Sequence, residues 1–221
     1  MLLAGAAASV GKDLPPNQVI FARPPLFQEY RLLHKNPTAG IDLPLKFQVY
    51  EQNGDIKLAF NTLGYLIDRH HLSIRDFRLT NRLLKQFGTS HNNGLITIAS
   101  TRSMAETVEA LENAIDANPD ARIALILDFG NAFFFRHHQF PVLIVFGNPK
   151  VGTPLIQEKP AIGIDLPQKF LVWKNRQGEV FITYNDPLFI GARSNLRNRD
   201  KRLEALSNAL KQLADKGAGN L

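Results

Sequence analysis

The stretch GIDLPLKFQVY, residues 40–50, returns as GIDLPQKFLVW at residues 163–173. A phrase of that length written twice in 221 residues marks an internal duplication, and a repeat decides the architecture before any local pattern does. The likeness continues downstream: NGDIKLAFNTLGYLIDRHHL (53–72) runs parallel to QGEVFITYNDPLFIGARSNL (177–196). Gly54 falls on Gly178, Asn61 on Asn185, Arg69 on Arg193 and Leu72 on Leu196. Upstream, VIFARP (19–24) parallels IVFGNP (144–149), and RLLHKNP (31–37) parallels PLIQEKP (154–160). The chain reads as two repeats of a unit of roughly 100 residues. They divide at 1–88 and 89–221.

In the register of VIFARP, Gly5 meets Gly130, Ala7 meets Ala132 and Pro16 meets Pro141. The first repeat is therefore expected to begin part-way through its unit, without counterparts of residues 95–125. MLLAGAAASV is short and lacks the basic head of an export signal, so it is read as part of that repeat. By default this leaves the chain cytoplasmic, with an upstream signal open if the chain is truncated.

Composition narrows the classes. Apolar residues make up 44%, enough for a real core. No apolar run is long enough for a transmembrane helix. Cysteine is absent, which removes disulfides, thiolate catalysis and cysteine metal sites together. The net charge is +6, with its densest group at Arg193, Arg197, Arg199, Lys201 and Arg202. Such a group favours acidic partners, nucleic acid or anionic lipid, or is simply a solvated helix face.

The unit is most legible in the second repeat. GLITIASTR (94–102) alternates like a strand. Ser103 and Glu106 have the spacing of a capping box, opening a helix with Met104, Val108, Leu111 and Ile115 on one face. ARIALILDF and FPVLIVFGN follow as apolar strands, and GNPKVGTPLIQEKP reads as an irregular link with one helical turn near Leu155–Gln157. The quoted phrase is then a strand, with Phe170 and Val172 facing one way and Lys169, Leu171 and Trp173 the other. NRQGE turns the chain into EVFITYN. A closing helix carries Leu203, Leu206, Leu210 and Leu213, with Gly217 as its expected stop. The first repeat's closing helix is expected in IRDFRLTNRLLKQFG, with Phe77, Leu84 and Phe87 available for burial, and GTSHNNG as linker. The fold class is α+β: two repeated units, each an antiparallel sheet backed by helices, the first truncated.

FGNPKVGTPL, GIDLPQKFLVW and YNDPLFIGARSNL, in that order, resemble the domain-of-unknown-function 302 family. The resemblance implies a β-α-β4-α unit like one half of the TATA-binding protein. It implies no established reaction; from the residues themselves no cofactor and no metal site are expected. Family members often carry a histidine soon after the aspartate of the second strand. Here Phe129 follows Asp128, which weakens any acid–base or metal role built on that histidine.

Candidate chemistry comes from polar residues that recur. Asp42 and Asp165 are each either a base or ligand contact, or a cap on turn N–H groups. Asn148, Lys150, Asp165, Asn185 and Arg193 are expected to form a polar pocket for a small anionic ligand if they converge at one end of the sheet. Alternatively Arg69 and Arg193 pair with Asp42 and Asp165, since both partners recur together. His70–His71 and His137–His138 are adjacent pairs rather than metal clamps, and GxSxG, P-loop and GxGxxG patterns are absent.

Helices cover one face of a single sheet. The other face, bearing Leu171, Trp173 and Phe181, is an expected contact surface towards the first repeat, another protomer or a ligand. The leading functional reading is a non-enzymatic binding or assembly module, with a homo-oligomer or inter-repeat packing expected. The alternatives are a small-anion binder or enzyme at Asp165, Asn185 and Arg193, and, ranked last, a weak nucleic-acid binder.

Overall fold

The computed structural model describes residues 3–77, 94–132, 140–196 and 201–220. The first repeat runs α1 (Leu3–Ala8), β1 (Asn17–Ala22), α2 (Leu26–Lys35), a 3-10 segment (Pro37–Asp42), β2 (Leu45–Gln52), β3 (Asp55–Phe60) and α3 (Leu63–His70). A 3-10 turn, Ile74–Phe77, closes its described part. The second runs β4 (Leu95–Ser100), α4 (Met104–Asp116), β5 (Arg122–Asp128), β6 (Val142–Gly147) and α5 (Pro149–Glu158). It continues with a 3-10 segment (Pro160–Ile164), β7 (Gln168–Lys174), β8 (Val180–Asn185), α6 (Pro187–Arg193) and α7 (Lys201–Ala218). The sheets are antiparallel, ordered β1-β2-β3 and β4-β8-β7-β6-β5. The structure is thus α+β, with matching units: β1, β2 and β3 correspond to β6, β7 and β8.

Local chemistry explains the elements. Asn53 and Gly54 both take positive φ, 57° and 82°, the conformation a tight hairpin turn demands between β2 and β3. Ser103 and Glu106 form the full capping box at the start of α4. Thr62 and Asp186 cap α3 and α6 through the backbone N–H groups of Tyr65 and Leu188. His71 and Asn195 occupy the left-handed position that ends each of these helices.

On one face of the second sheet Phe146, Phe170, Val172, Ile182 and Tyr184 pack against Leu111 and Ile115 of α4 and Leu210 and Ala214 of α7. Each such side chain, fully buried, contributes roughly 1.5–3 kcal/mol. The opposite face turns towards the first repeat. Leu143, Val145 and Leu171 join one cluster with Leu32, Leu33 and Ile41. Reciprocally, Val19 of β1 and Leu3 of α1 cluster with Leu155, Ile162 and Leu166 of the second repeat.

Three expectations differ from the structure. The segment 149–158 is a continuous helix rather than an irregular link. Pro149 sits at the helix start, where its missing N–H costs nothing, and Pro154 is accommodated inside. Gly217 lies within α7, where a Cβ would come 2.4 Å from Leu111 Cδ2. The left-handed residue beyond the helix is Gly219, at φ 77°. The pairing of VIFARP with IVFGNP is out by one: Ile20 lies opposite Phe47 as Ile144 lies opposite Phe170. An extra residue before α2 restores the register. Most of the first repeat's expected closing helix, with Leu84 and Phe87, and most of the 88–94 linker lie outside the described residues, as does His137–His138.

Candidate functional site

The repeated phrase builds the junction between the repeats. Its glycine lets each 3-10 segment lie against the other repeat's sheet. A Cβ on Gly40 would stand 2.9 Å from Leu171 Cδ1, and one on Gly163 only 2.4 Å from Gln48 Nε2. Gln48 and Leu171 are the same position of the phrase, so the contact is reciprocal. Gln48 Nε2 adds a hydrogen bond of 2.7 Å to the carbonyl of Pro160. In both repeats the Leu–Pro bond that follows, Leu43–Pro44 and Leu166–Pro167, is cis.

Two residues after the glycine come Asp42 and Asp165, 2% and 1% exposed. Arg69 Nη1 donates to Asp42 Oδ2 at 2.9 Å, and its Nη2 crosses to Asn185 Oδ1 at 2.5 Å. Arg193 mirrors it: Nη1 donates to Asp165 Oδ2 at 3.3 Å, and Nη2 crosses to Asn61 Oδ1 at 2.6 Å. Each arginine thus holds its own aspartate with one nitrogen and the other repeat's asparagine with the second. The Tyr65 ring lies between them, 4.2 Å from the Arg193 guanidinium and 5.3 Å from that of Arg69. Asn61 directly follows β3 and Asn185 ends β8, and arginine stands near the end of the capped helix that follows, so the hairpin–helix unit sets the geometry twice.

The first repeat adds more partners. His70 Nε2 lies 2.8 Å from Asp42 Oδ2, and Lys46 Nζ 3.5 Å from Oδ1. A carboxylate only accepts, so Nε2 carries the proton. Burial alone would raise the Asp42 carboxyl, but Arg69, the bond from His70 and Lys46 hold it well below the usual range. Burial lowers His70, with Asp42 pulling the other way, so the ring is held below its ordinary value. In the second repeat Ser194 stands in place of His70. Lys169 donates instead to the carbonyls of Asp165 and Pro167, each at 3.0 Å. Burial first, then the charge of Lys46, pushes its ammonium well below the ordinary range.

Of the residues singled out in sequence, Asp165, Asn185 and Arg193 come together in this cluster. Asn148 and Lys150 stand elsewhere: Asn148 caps α5 through the Lys150 N–H, and Lys150 Nζ pairs with Asp120 at 2.7 Å on the surface. The aspartates hold arginine rather than capping turn N–H groups. Leu171 is fully buried between the repeats, whereas Trp173 is half-buried and stacks on Phe181 with ring centroids 4.9 Å apart. Sequence reasoning missed Gly40, Gly163 and Tyr65; it placed Lys46, Gln48 and Lys169 on the contact face of the hairpin but not their polar partners. Glycine and lysine recur inside the phrase itself, and that recurrence was their available signal. Tyr65 has no such signal, because Phe189 replaces it. A small cavity of about 10 Å³, room for one water, borders Asp42 and His70 among apolar side chains.

The family model described as "Domain of unknown function DUF302" matches residues 2–85 and 96–213. The chain belongs to the DUF302 family. Its two matched regions make it a tandem DUF302 protein, and the family's description assigns no activity. Among curated proteins, this DUF302 chain is 37% identical over 110 residues to the fluoride-specific ion channel FluC 1 of Brucella suis, covering 48% of this chain and 42% of that protein. FluC 1 of Brucella abortus and FluC 2 of Brucella melitensis match at the same identity, with 39% of each covered. The chain therefore spans about two fifths of the length of these curated relatives. No helix among the described residues is long and apolar enough to cross a membrane. A solved structure, an uncharacterized conserved protein DUF302 from Bacillus stearothermophilus, is similar at TM-score 0.48 and 18% identity, covering 56% of this chain and 97% of that one.

Proposed function

We propose that this DUF302 chain is a non-enzymatic binding and assembly module whose recurring polar residues join its own repeats. One observation carries the reading: Asp42, Asn61, Arg69, Asp165, Asn185 and Arg193 are bonded to one another, four of the bonds forming two mirrored arginine bridges across the junction. A pocket for a reacting molecule needs polar groups left free to meet it. Here the charged groups meet each other or an asparagine oxygen, and Asn185 Nδ2 is left without a bond. Native mass spectrometry of protein purified from its own source tests the reading. Protein retaining no small molecule at the junction supports it; a retained ligand displaced by Arg193→Ala would replace it with a ligand-binding one.

A second reading is favoured by the relatives named as fluoride-specific channels. In it, the module is an accessory part of a fluoride-handling system, and a small anion meets the cationic junction. Titration with sodium fluoride against sodium chloride, followed by fluorine NMR linewidth, separates the two. The assembly reading expects no saturable broadening, and the anion reading expects broadening that Arg193→Ala abolishes.

A further inference from the structure

The duplication supplies its own control. Arg193 holds Asp165 and reaches Asn61 with Ser194 beside it in sequence, so the bridge forms without a histidine. The first repeat nonetheless carries His70 at that position, 1% exposed, with Asn36 and Thr38 where the second has Lys159 and Ala161. These three residues are bonded in series. His70 Nδ1 lies 3.1 Å from Thr38 Oγ1, which lies 2.7 Å from Asn36 Oδ1. A hydroxyl has one hydrogen and two lone pairs. With the ring neutral, that hydrogen turns to Nδ1. With the ring protonated, Nδ1–H donates to Oγ1 and the hydroxyl hydrogen turns to Asn36. The ring therefore has a partner at each nitrogen in either protonation state, since Nε2 donates to Asp42 in both. A histidine built only for packing needs no such provision.

We propose that His70 is a proton-operated release for the Arg69 bridge: a ring charged on Nδ1 loosens the hold of Arg69 on Asp42 and Asn185 and leaves the Arg193 bridge in place. The inference rests on the assembly reading and adds its regulation. Asp42 Oδ2 serves both sides, accepting Arg69 Nη1 at 2.9 Å and His70 Nε2 at 2.8 Å. A bond from an imidazolium is stronger than one from the neutral ring, so it competes with the guanidinium for that oxygen. The two cations also repel each other, and buried charges are little screened. Among the described residues, the charged groups facing the ring are Asp42, Lys46 on the far oxygen of Asp42, and Arg69 and His71 on either side in sequence. Lys35, next to Asn36, is balanced by Asp76 at 2.6 Å. The cavity beside the ring is otherwise apolar, with Leu32, Leu66 and Leu72 in its wall. Burial first, then Arg69 and His71, hold the ring below its ordinary 6.5 against the pull of Asp42. Between that lowered value and 6.5 the unfolded chain holds a proton that the folded chain lacks. Stability present above 6.5 is therefore lost as pH falls through the interval, in the range where histidine acts as a switch.

Nitrogen-15 NMR and urea unfolding of the full chain across the histidine pH range test this, with His70→Gln beside it. Glutamine keeps an N–H donor for Asp42 and takes no proton. His70→Ser, the side chain the second repeat has at Ser194, stands in if glutamine disturbs folding. In the unmodified chain the ring is expected to take its second proton on Nδ1 while the chain is still folded. The side-chain amide of Asn185, in the other repeat, should shift with the same midpoint. Either variant should lose that Asn185 shift, and its urea midpoint should fall less on acidification than that of the unmodified chain. An Asn185 amide that does not follow the ring would overturn the proposal, as would a ring that stays neutral until the chain unfolds, or urea profiles that coincide. A ring that titrates above 6.5, with stability gained in acid, would make His70 a clasp and overturn it as well. The coupling between Arg69 and Asn185 in a double-mutant cycle at neutral pH separates the two readings. With that coupling present these failures remove the release alone; with it absent the assembly reading falls too.

Discussion

Arg69 is 2% exposed and serves both repeats at once, through Asp42 and Asn185. Removing one partner of a buried ion pair leaves the other charge desolvated, at a cost of about 3–5 kcal/mol. Arg69→Ala is therefore expected to lower the unfolding free energy by that amount in urea titrations. Arg193→Ala should cost less, because its side chain is 27% exposed and water takes up part of the loss. Lys169 gives the opposite kind of signal. Its folded pKa lies well below the ordinary 10.5, so between those two values the unfolded chain holds a proton that the folded chain lacks. Stability must then rise with pH across that interval. Compared with Lys169→Met, the unmodified chain should gain ground steadily as pH climbs towards 10.5. A stability difference independent of pH would show that the ammonium stays charged on folding.

At the level of elements, the junction depends on how closely the 3-10 segments approach the sheets. Gly163→Ala would place a methyl 2.4 Å from Gln48 Nε2 and 2.8 Å from Leu3 Cδ1. Overpacking of this kind costs about 1–3 kcal/mol, and melting of the variant measures it. Helix α3 holds Tyr65, Arg69 and His70 behind the cap of Thr62, so Thr62→Ala should cost about 1 kcal/mol. The strands, the hairpins and α4 were readable because their signals are local: alternation, the glycine turns at Asn53–Gly54 and Gln177–Gly178, and the Ser103–Glu106 spacing. Helices α3, α5 and α6 were not, since each is short and two begin at proline, which in isolation reads as a break. The recurrence of Asp42 with Arg69 exposed half of the polar cluster. Its other half, arginine reaching asparagine in the opposite repeat, is a long-range pairing with no sequence spacing to reveal it.

For the molecule as a whole, the two repeats resemble a dimer tied into one chain. Each lends its 3-10 segment to the other's sheet and its arginine to the other's asparagine. Two small units with their own cores would unfold separately if the junction contributed little. The crossed arginines and the two core clusters that draw on both repeats predict instead a single cooperative transition. Trp173, the sole tryptophan, reports on the second repeat and far-ultraviolet dichroism on both, and the two probes should give coincident curves.

The most direct measurement of that coupling is a double-mutant cycle between Arg69 and Asn185, residues of different repeats. Unfolding free energies of Arg69→Met, Asn185→Leu and the pair together give the interaction between them. The crossed junction predicts a coupling of about 1–3 kcal/mol. Additive effects, with coupling indistinguishable from zero, would contradict it.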